Sequence, residues 1–458
     1  MKNLKLLSLA VALLAMTFTA NAATNFVILG DDFQAKIDAS APGDTLVVQA
    51  GVYPGNLNFN KALTVLRSGT NQIQFMGTVQ ITGAGNSSFQ LSQFASAVTI
   101  QATGTVSFAL SQFLAPFNSS AANLLVSQSS FSNTFTANLM VGTGTNLQVY
   151  DSVFNNFVSV FGGKAVIKRC TTWNLTLSNN VALEAMRMTN IGYCTAIAAT
   201  GSGTPFVAVQ SLFNDVLFMS GYKVWLGYNS WPLYGGITMT NCDVVLAGNK
   251  IFPGSFVAQS LVYAQGGSLR AYNNLIGVAG AALFGIRCRS NIADIVNNTI
   301  YVSGNTASGK GIYITEGIVP ATVRSDIVYV FAGGGTGFCI ETSGQVANVS
   351  YCDLFILGAG SPYVQGPLAN CIFSEPGWIA DYSLNLVSPC INAGPPEAIY
   401  NDRDGTRNDM GYTGGPYWNP ANYTNDNPMV FFLTGSPQTV LKGVQTNILV
   451  NVGASAGH

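Results

Sequence analysis

The sequence predicts an all-β solenoid, a coil of parallel strands stacked turn upon turn, and three observations carry that prediction. First, a six-residue pattern (apolar, any, any, small or polar, any, apolar) recurs along the chain, most plainly as Phe89-Gln-Leu-Ser92-Gln-Phe94 and Phe108-Ala-Leu-Ser111-Gln-Phe113. With the fourth position as marker it can be followed through Ser92, Ser111, Ser129, Ser152, Cys170, Thr189, Ser211, Cys242, Asn274, Asn298, Asp326, Cys352 and Cys371, at the spacing of one solenoid turn per repeat. Second, the repeats are rich in Val, Ile, Thr and Phe and lack helical period. Third, the segments on either side of the patterned region break the pattern, as the two open ends of a coil require.

Within each copy, position one is apolar and position six is apolar in all but one (Thr172), and the two have opposite parity, so a flat strand would send them to opposite faces. A bend between positions two and four lets both point inward. Asn241, Asn273, Asn297 and Asn370 stand at position three, where a residue tolerant of left-handed backbone serves such a bend. The Ser, Cys and Asn markers can then stack as an inward polar ladder. Thirteen such turns at ~4.8 Å each make a rod about 60 Å long.

The elements follow in order. Residues 1–22 read as an export signal: Lys2 and Lys5, an apolar run from Leu6 to Ala15, and an Ala20-Asn21-Ala22 cleavage site before Ala23. The mature chain is therefore expected outside the cytoplasm, and no later apolar run reaches the length of a membrane span. Asp32 to Ala41, with Phe33, Ile37 and Ala41 on one face and Pro42-Gly43 after it, is the predicted N-terminal capping helix of a cap at about 30–45. The coil with its caps occupies residues 23–424. Its C-terminal cap is placed at about 374–424, where Pro, Gly, Asn and Tyr replace the pattern. Residues 425–458 carry two further strand-like runs, a hairpin or the start of another β domain, suited to self-association or attachment.

Charged residues are only 9% of the chain and net charge is -1, which argues against nucleic acid or anionic membrane as partners. Eight cysteines in 458 residues do not make a disulfide scaffold. Cys352 and Cys371 fall on adjacent turns within disulfide reach, either as stacked thiols or as a bond.

On Ala35 to Tyr53 followed by Lys61-Ala-Leu-Thr-Val-Leu66, and on Ser388-Pro-Cys-Ile-Asn-Ala-Gly394 with Asp402-Arg-Asp-Gly-Thr-Arg407 and Asp409-Met-Gly-Tyr412, the chain resembles the right-handed parallel β-helix superfamily that includes pectate lyases, of the secreted bacterial type. The resemblance spans about residues 30–415 and implies a single-stranded right-handed coil. It fixes no activity, because lyases, hydrolases, adhesins and structural proteins share that fold. It implies that an enzyme would act on polysaccharide, with an Arg or Lys base beside calcium-holding acids, or with paired carboxylates.

Candidate chemistry is sparse. The only histidine is His458, so no Ser-His-Asp set can be built. Asp151 with Arg169, and Arg270 with Asp294, stand in register and read as cross-strand ion pairs. Arg287, Arg289 and Arg324 are the nearest approach to a basic cluster for a lyase base. Asp402, Asp404 and Asp409 have the composition of a calcium loop, although Asx turn caps explain them as well. Tyr222, Trp225, Tyr228, Trp231 and Tyr234 crowd a long excursion between the Ser211 and Cys242 turns, where flat rings would stack on sugars. The expectation is a non-catalytic secreted rod that binds polysaccharide or a cell-surface glycan; the alternatives are a polysaccharide lyase and a structural extracellular subunit.

Overall fold

The computed structural model describes residues 22–121, 123–138, 146–252, 259–279, 284–289, 292–304, 309–317, 319–363, 365–420, 429–436 and 449–455. The predicted leader, apart from Ala22, and the remainder of 425–458 lie outside them. The described chain is a parallel β-solenoid in which every strand pair of the coil is parallel.

One turn shows the plan. Thr105–Ala109 runs along a first face, a bend follows, Gln112–Phe113 makes a short second face, and Phe117–Ser119 a third. Each face pairs with its equivalent one turn away, as Phe108 with Val126, Phe113 with Phe131 and Phe117 with Phe135. Positions one and six both point into the core, as expected.

The bend is a left-handed residue at position three in fourteen copies. Thirteen are not glycine, among them Leu91, Leu110, Gln128, Asp151, Arg169, Tyr228 and Tyr351, and the fourteenth is Gly248. Each non-glycine bend costs about 1–2 kcal/mol of backbone strain, and the marker residue shows what offsets it. The backbone N–H after the bend is taken by the marker side chain of the next turn: Ser111 N–H by Ser129 Oγ at 3.1 Å, Ser129 N–H by Ser152 Oγ at 3.1 Å, Ser211 N–H by Asn229 Oδ1 at 2.8 Å. A small polar residue at most markers thus pairs a donor that burial would otherwise leave open.

The register corrects the sequence reading at three places. The excursion between Ser211 and Cys242 is not a loop. It holds the turns Leu226-Gly-Tyr228-Asn229-Ser-Trp231 and, after Cys242, Leu246-Ala-Gly248-Asn249-Lys-Ile251, with Ser230 paired to Leu212 and Lys250 to Ser230. Cys242 instead lies at another corner, opposite Gly267. In the sixth turn the marker is Met188 rather than Thr189, because Thr189 pairs with Thr171 and the left-handed residue is Arg187.

In the N-terminal half the core is a stack of rings: Phe94 on Phe113 at 4.8 Å, Phe113 on Phe131 at 4.4 Å and Phe131 on Phe154 at 4.6 Å between centroids, all within 7° of parallel. In-register identical residues give offset stacking along the coil axis at no extra cost in register. The helix spans Phe33–Ala39 with Asp32 as N-cap, its carboxylate taking the Ala35 N–H. It is shorter than predicted: Ser40 ends it, and Ala41 is exposed rather than part of its buried face. Phe33 packs its ring on Tyr53, Phe59 and Phe75, and Lys61 Nζ donates to the carbonyl oxygens of Asp38 and Ser40 at the helix end.

Residues 374–420 depart from the position expected of a terminal cap. They run back along the flank of the rod, over the bend column. Asn273 Nδ2 donates to Tyr412 O at 3.0 Å, Asn297 Nδ2 to Asp409 O at 2.8 Å, and Gly411 N–H to Ser325 O at 2.7 Å. Trp378 and Tyr382 pack on the second-face rings of Tyr301, Tyr329 and Phe252, while Tyr417 meets Tyr272 and accepts from Tyr228 OH. Met429–Ser436 and Leu449–Ser455 pair antiparallel as a two-stranded sheet.

Candidate functional site

The outward residues of the third face form one file, because parallel in-register pairing stacks equivalent positions. It runs Asn118, Thr136, Ser159, Thr176, Thr195, Phe218, Thr238, Tyr263, Arg287, Tyr313, Glu341. A shallow groove lies along it between Thr195, Ile197, Phe218 and Thr238. The file is hydroxyl and amide in its first part apart from Phe218, and becomes aromatic and charged from Tyr263 onward.

A second file, Ser260, Phe284, Lys310 and Phe338, runs three residues ahead of the first. Gly285 and Gly311 allow this. A Cβ on Gly285 would sit 2.6 Å from Ile300 Cγ2, and one on Gly311 would strike Val328. The backbone is pinched against the core there, so Phe284 and Lys310 turn toward the rings beyond.

The two files interleave cations with rings. The Arg287 guanidinium lies 5.2 Å from the Tyr263 ring centroid, 5.1 Å from Phe284 and 5.9 Å from Tyr313. Lys310 Nζ lies 4.2 Å from Tyr313, 5.4 Å from Phe284 and 6.0 Å from Phe338, and 2.8 Å from Glu341 Oε2. The Phe284 and Tyr313 rings stack at 5.2 Å. Such contacts hold a cation with partial desolvation while leaving its other hydrogen atoms for a ligand.

The predicted basic cluster divides. Arg287 and Arg289 share the strand Phe284–Arg289, and Arg289 is paired with Glu316 at 2.9 Å. The pair, with its geometry favourable to the charged form, holds the Arg289 guanidinium above its ordinary range. Arg324 lies apart on the first face, its guanidinium 4.2 Å from the Tyr400 ring and donating to Tyr400 OH. The expected Asp151–Arg169 pair is present and bidentate, at 2.6 and 2.8 Å.

The predicted aromatic site does not assemble. Trp231, Tyr222 and Tyr228 are buried in the rod, Trp231 stacked on Phe213 at 5.0 Å and Tyr222 OH donating to Val181 O. Trp225 is half-buried beside Val207 and Val245 on the first face, and Tyr234 is exposed beyond the second. A ligand cannot touch these five rings together. Of the file from Tyr263 to Glu341, sequence reasoning named Arg287 alone; its members are spread over four turns, and only register joins them.

Asp402, Asp404 and Asp409 line one shallow pocket with Arg403 and Trp418, but their oxygens are engaged. Asp402 accepts the N–H groups of Asp409 and Gly415, Asp404 Oδ1 those of the Thr406 backbone and hydroxyl, and Asp409 Oδ1 the Asn392 N–H at 2.7 Å. Burial pushes Asp402 up to about 6, and Asp409 is raised by the same cause. The Asp404 contacts are those of an Asx turn cap. No group of three or more His, Cys, Asp or Glu is arranged to hold a metal among the described residues.

Compared with family models, with curated proteins and with solved structures, the chain matches none.

Proposed function

We propose that this chain is a secreted, non-catalytic rod that binds acidic polysaccharide along its third face. The observation that carries the reading is the interleaving of Arg287 and Lys310 with Tyr263, Phe284, Tyr313 and Phe338. Rings offer flat apolar faces to the C–H faces of sugars, and Arg287, with Lys310 shared with Glu341, offers N–H donors to carboxylates. The polar file that leads to them continues the contact over further sugar units. The residue types in the leader support secretion, and the coil is taken as right-handed because parallel crossovers overwhelmingly are. The Phe33–Ala39 helix, packed on Phe59 and Phe75 at the start of the coil, is suited to cap its first turn.

Affinity electrophoresis of the full chain through gels holding a uronic-acid polymer or an uncharged glucan tests this. Retardation is expected in the acidic gel, and Arg287→Ala or Lys310→Ala should weaken binding about tenfold, or ~1.4 kcal/mol. Equal mobility in both gels would refute the binding reading, and a conjugated double bond appearing in the polymer would refute the non-catalytic one. N-terminal sequencing of exported protein should begin at Ala23.

A further inference from the structure

Among eight cysteines, seven are buried; Cys371 alone is partly open, and it sits on the last copy of the bend motif among the described residues, where none of them adds a further turn over its marker position. Its neighbour along the ladder is the marker of the preceding turn, Cys352. The two turns are in register: Asp353 bridges Ile372, and Ile372 N–H donates to Cys352 O at 2.9 Å. Cys352 and Cys371 therefore stand directly opposite one another on adjacent strands, both pointing inward from the same corner, at a separation that parallel pairing places within the range of a disulfide.

We propose that Cys352 and Cys371 are an oxidisable pair that forms an inter-turn disulfide and staples the last turn of the coil to the body of the rod. The last turn has little else to hold it. Its first-face strand is only Leu368–Ala369, and Leu368 and Phe373, at the two core positions, are 41% and 52% exposed. In every earlier copy these positions are closed over by a further turn.

The chemistry is thiol–disulfide exchange. Cys371, as thiolate, attacks one sulfur of a small disulfide such as oxidised glutathione, and one glutathione thiolate leaves. Cys352 then loses its proton and attacks the Cys371 sulfur of the mixed disulfide, releasing the second glutathione. Two electrons and two protons pass from the pair to the disulfide donor. The roles follow from position: Cys371 is reachable, and Cys352 is enclosed behind it. The hydrogen bond from Cys352 lowers the Cys371 thiol, whereas burial raises Cys352, so the exposed member carries the negative charge.

The full chain is equilibrated in a glutathione redox buffer, acid-quenched, alkylated and cleaved after Phe355 and Tyr363, which separates the two cysteines. Peptides joined through Cys352 and Cys371 are expected, with both alkylated after reduction. Oxidation should raise the melting temperature of wild type by a few degrees, and Cys371→Ser should abolish that difference. Should Cys371→Ser misfold, Cys352→Ala and the peptide map give the same reading. Two alkylated thiols, a glutathione retained on Cys371, or linkage of either cysteine to Cys339 or Cys390 would each overturn the proposal.

Discussion

Asn298 and Asp326 are joined twice across adjacent turns: the Asn298 side-chain amide donates to Asp326 Oδ1 at 2.8 Å and its backbone N–H to the same oxygen at 2.6 Å. The carboxylate ends a file of side-chain amides, Asn229, Asn249, Asn274 and Asn298, each donating to the next at 2.9–3.0 Å. Each asparagine also donates to a backbone carbonyl, as Asn274 Nδ2 does to Leu246 O, and so spends both its donor and its acceptor. Asp326 supplies only the acceptor, and it is wholly buried.

The first prediction concerns that difference. Burial pushes Asp326 up to about 7, and burial does the same to Asp353. Folding therefore takes up protons between about pH 4 and 7, so this part of the stability is present in full at the acid end of the window and is lost as pH rises through 7. The unfolding free energy of wild type should fall between pH 5 and pH 8, by up to about 5 kcal/mol from the two carboxyls together, with the melting temperature falling accordingly. Asp326→Asn, which continues the amide file without a buried charge, should be more stable than wild type at pH 8, by ~1–3 kcal/mol, and gain less at pH 5. A gain independent of pH would show that the carboxyl is not what titrates.

Burial separates the aromatic residues of the Tyr222–Tyr234 segment. Trp231 fills position six of its turn with nothing exposed, so Trp231→Ala should cost about 3–5 kcal/mol in chemical denaturation. Tyr234→Ala, at 53% exposure, should stay within about 0.5 kcal/mol. Comparable losses for both would contradict the register of this turn.

The segment 374–420 should open without the coil. Trp378 touches Tyr301, Tyr329 and Tyr382, so Trp378→Ala should raise hydrogen exchange across residues 376–415 by an order of magnitude or more while Phe108 and Val126 strands stay protected. Uniform deprotection along the rod would mean that the segment and coil unfold as one.

Calcium gives a fourth prediction. Because no group of three or more His, Cys, Asp or Glu is arranged to hold a metal among the described residues, millimolar calcium should leave the melting temperature within about 1 °C of its value in chelator, whereas tight binding would raise it by several degrees. Asp402→Ala should destabilise by about 1–3 kcal/mol with or without the ion, through the N–H groups of Asp409 and Gly415 that it leaves unpaired.

The coil was legible in the sequence wherever one residue type held a position from turn to turn, as Phe94, Phe113, Phe131 and Phe154 do. It was lost where volume was conserved but type was not: Trp231 replaces Phe213 in the same file, and a cluster of rings looked like a surface loop. Asn229 and Asn249 carried the pattern openly, at regular spacing, and the decoy was Asn241-Cys242, which bends the chain at another corner with the same left-handed geometry. Of the third-face cluster only Arg287 was legible, as one of three arginines, since Tyr263, Arg287 and Tyr313 meet only through strand register and the intervening lengths vary. Nor was the path of residues 374–420, whose anchors Trp378, Tyr382 and Tyr417 follow no period.

A coil whose turns touch only their neighbours behaves like a zipper, able to fray from either end. Trp378, Asn408, Tyr412 and Tyr417 bind residues 49 to 189 positions earlier, on the turns from Tyr228 to Tyr329, so those turns share a fastener that, among the described residues, the phenylalanine-stacked turns lack. The rod is therefore mechanically lopsided. Pulled or heated, the Phe94–Phe154 half can unwind turn by turn, whereas the other half must release its clasp first and then give way as a block.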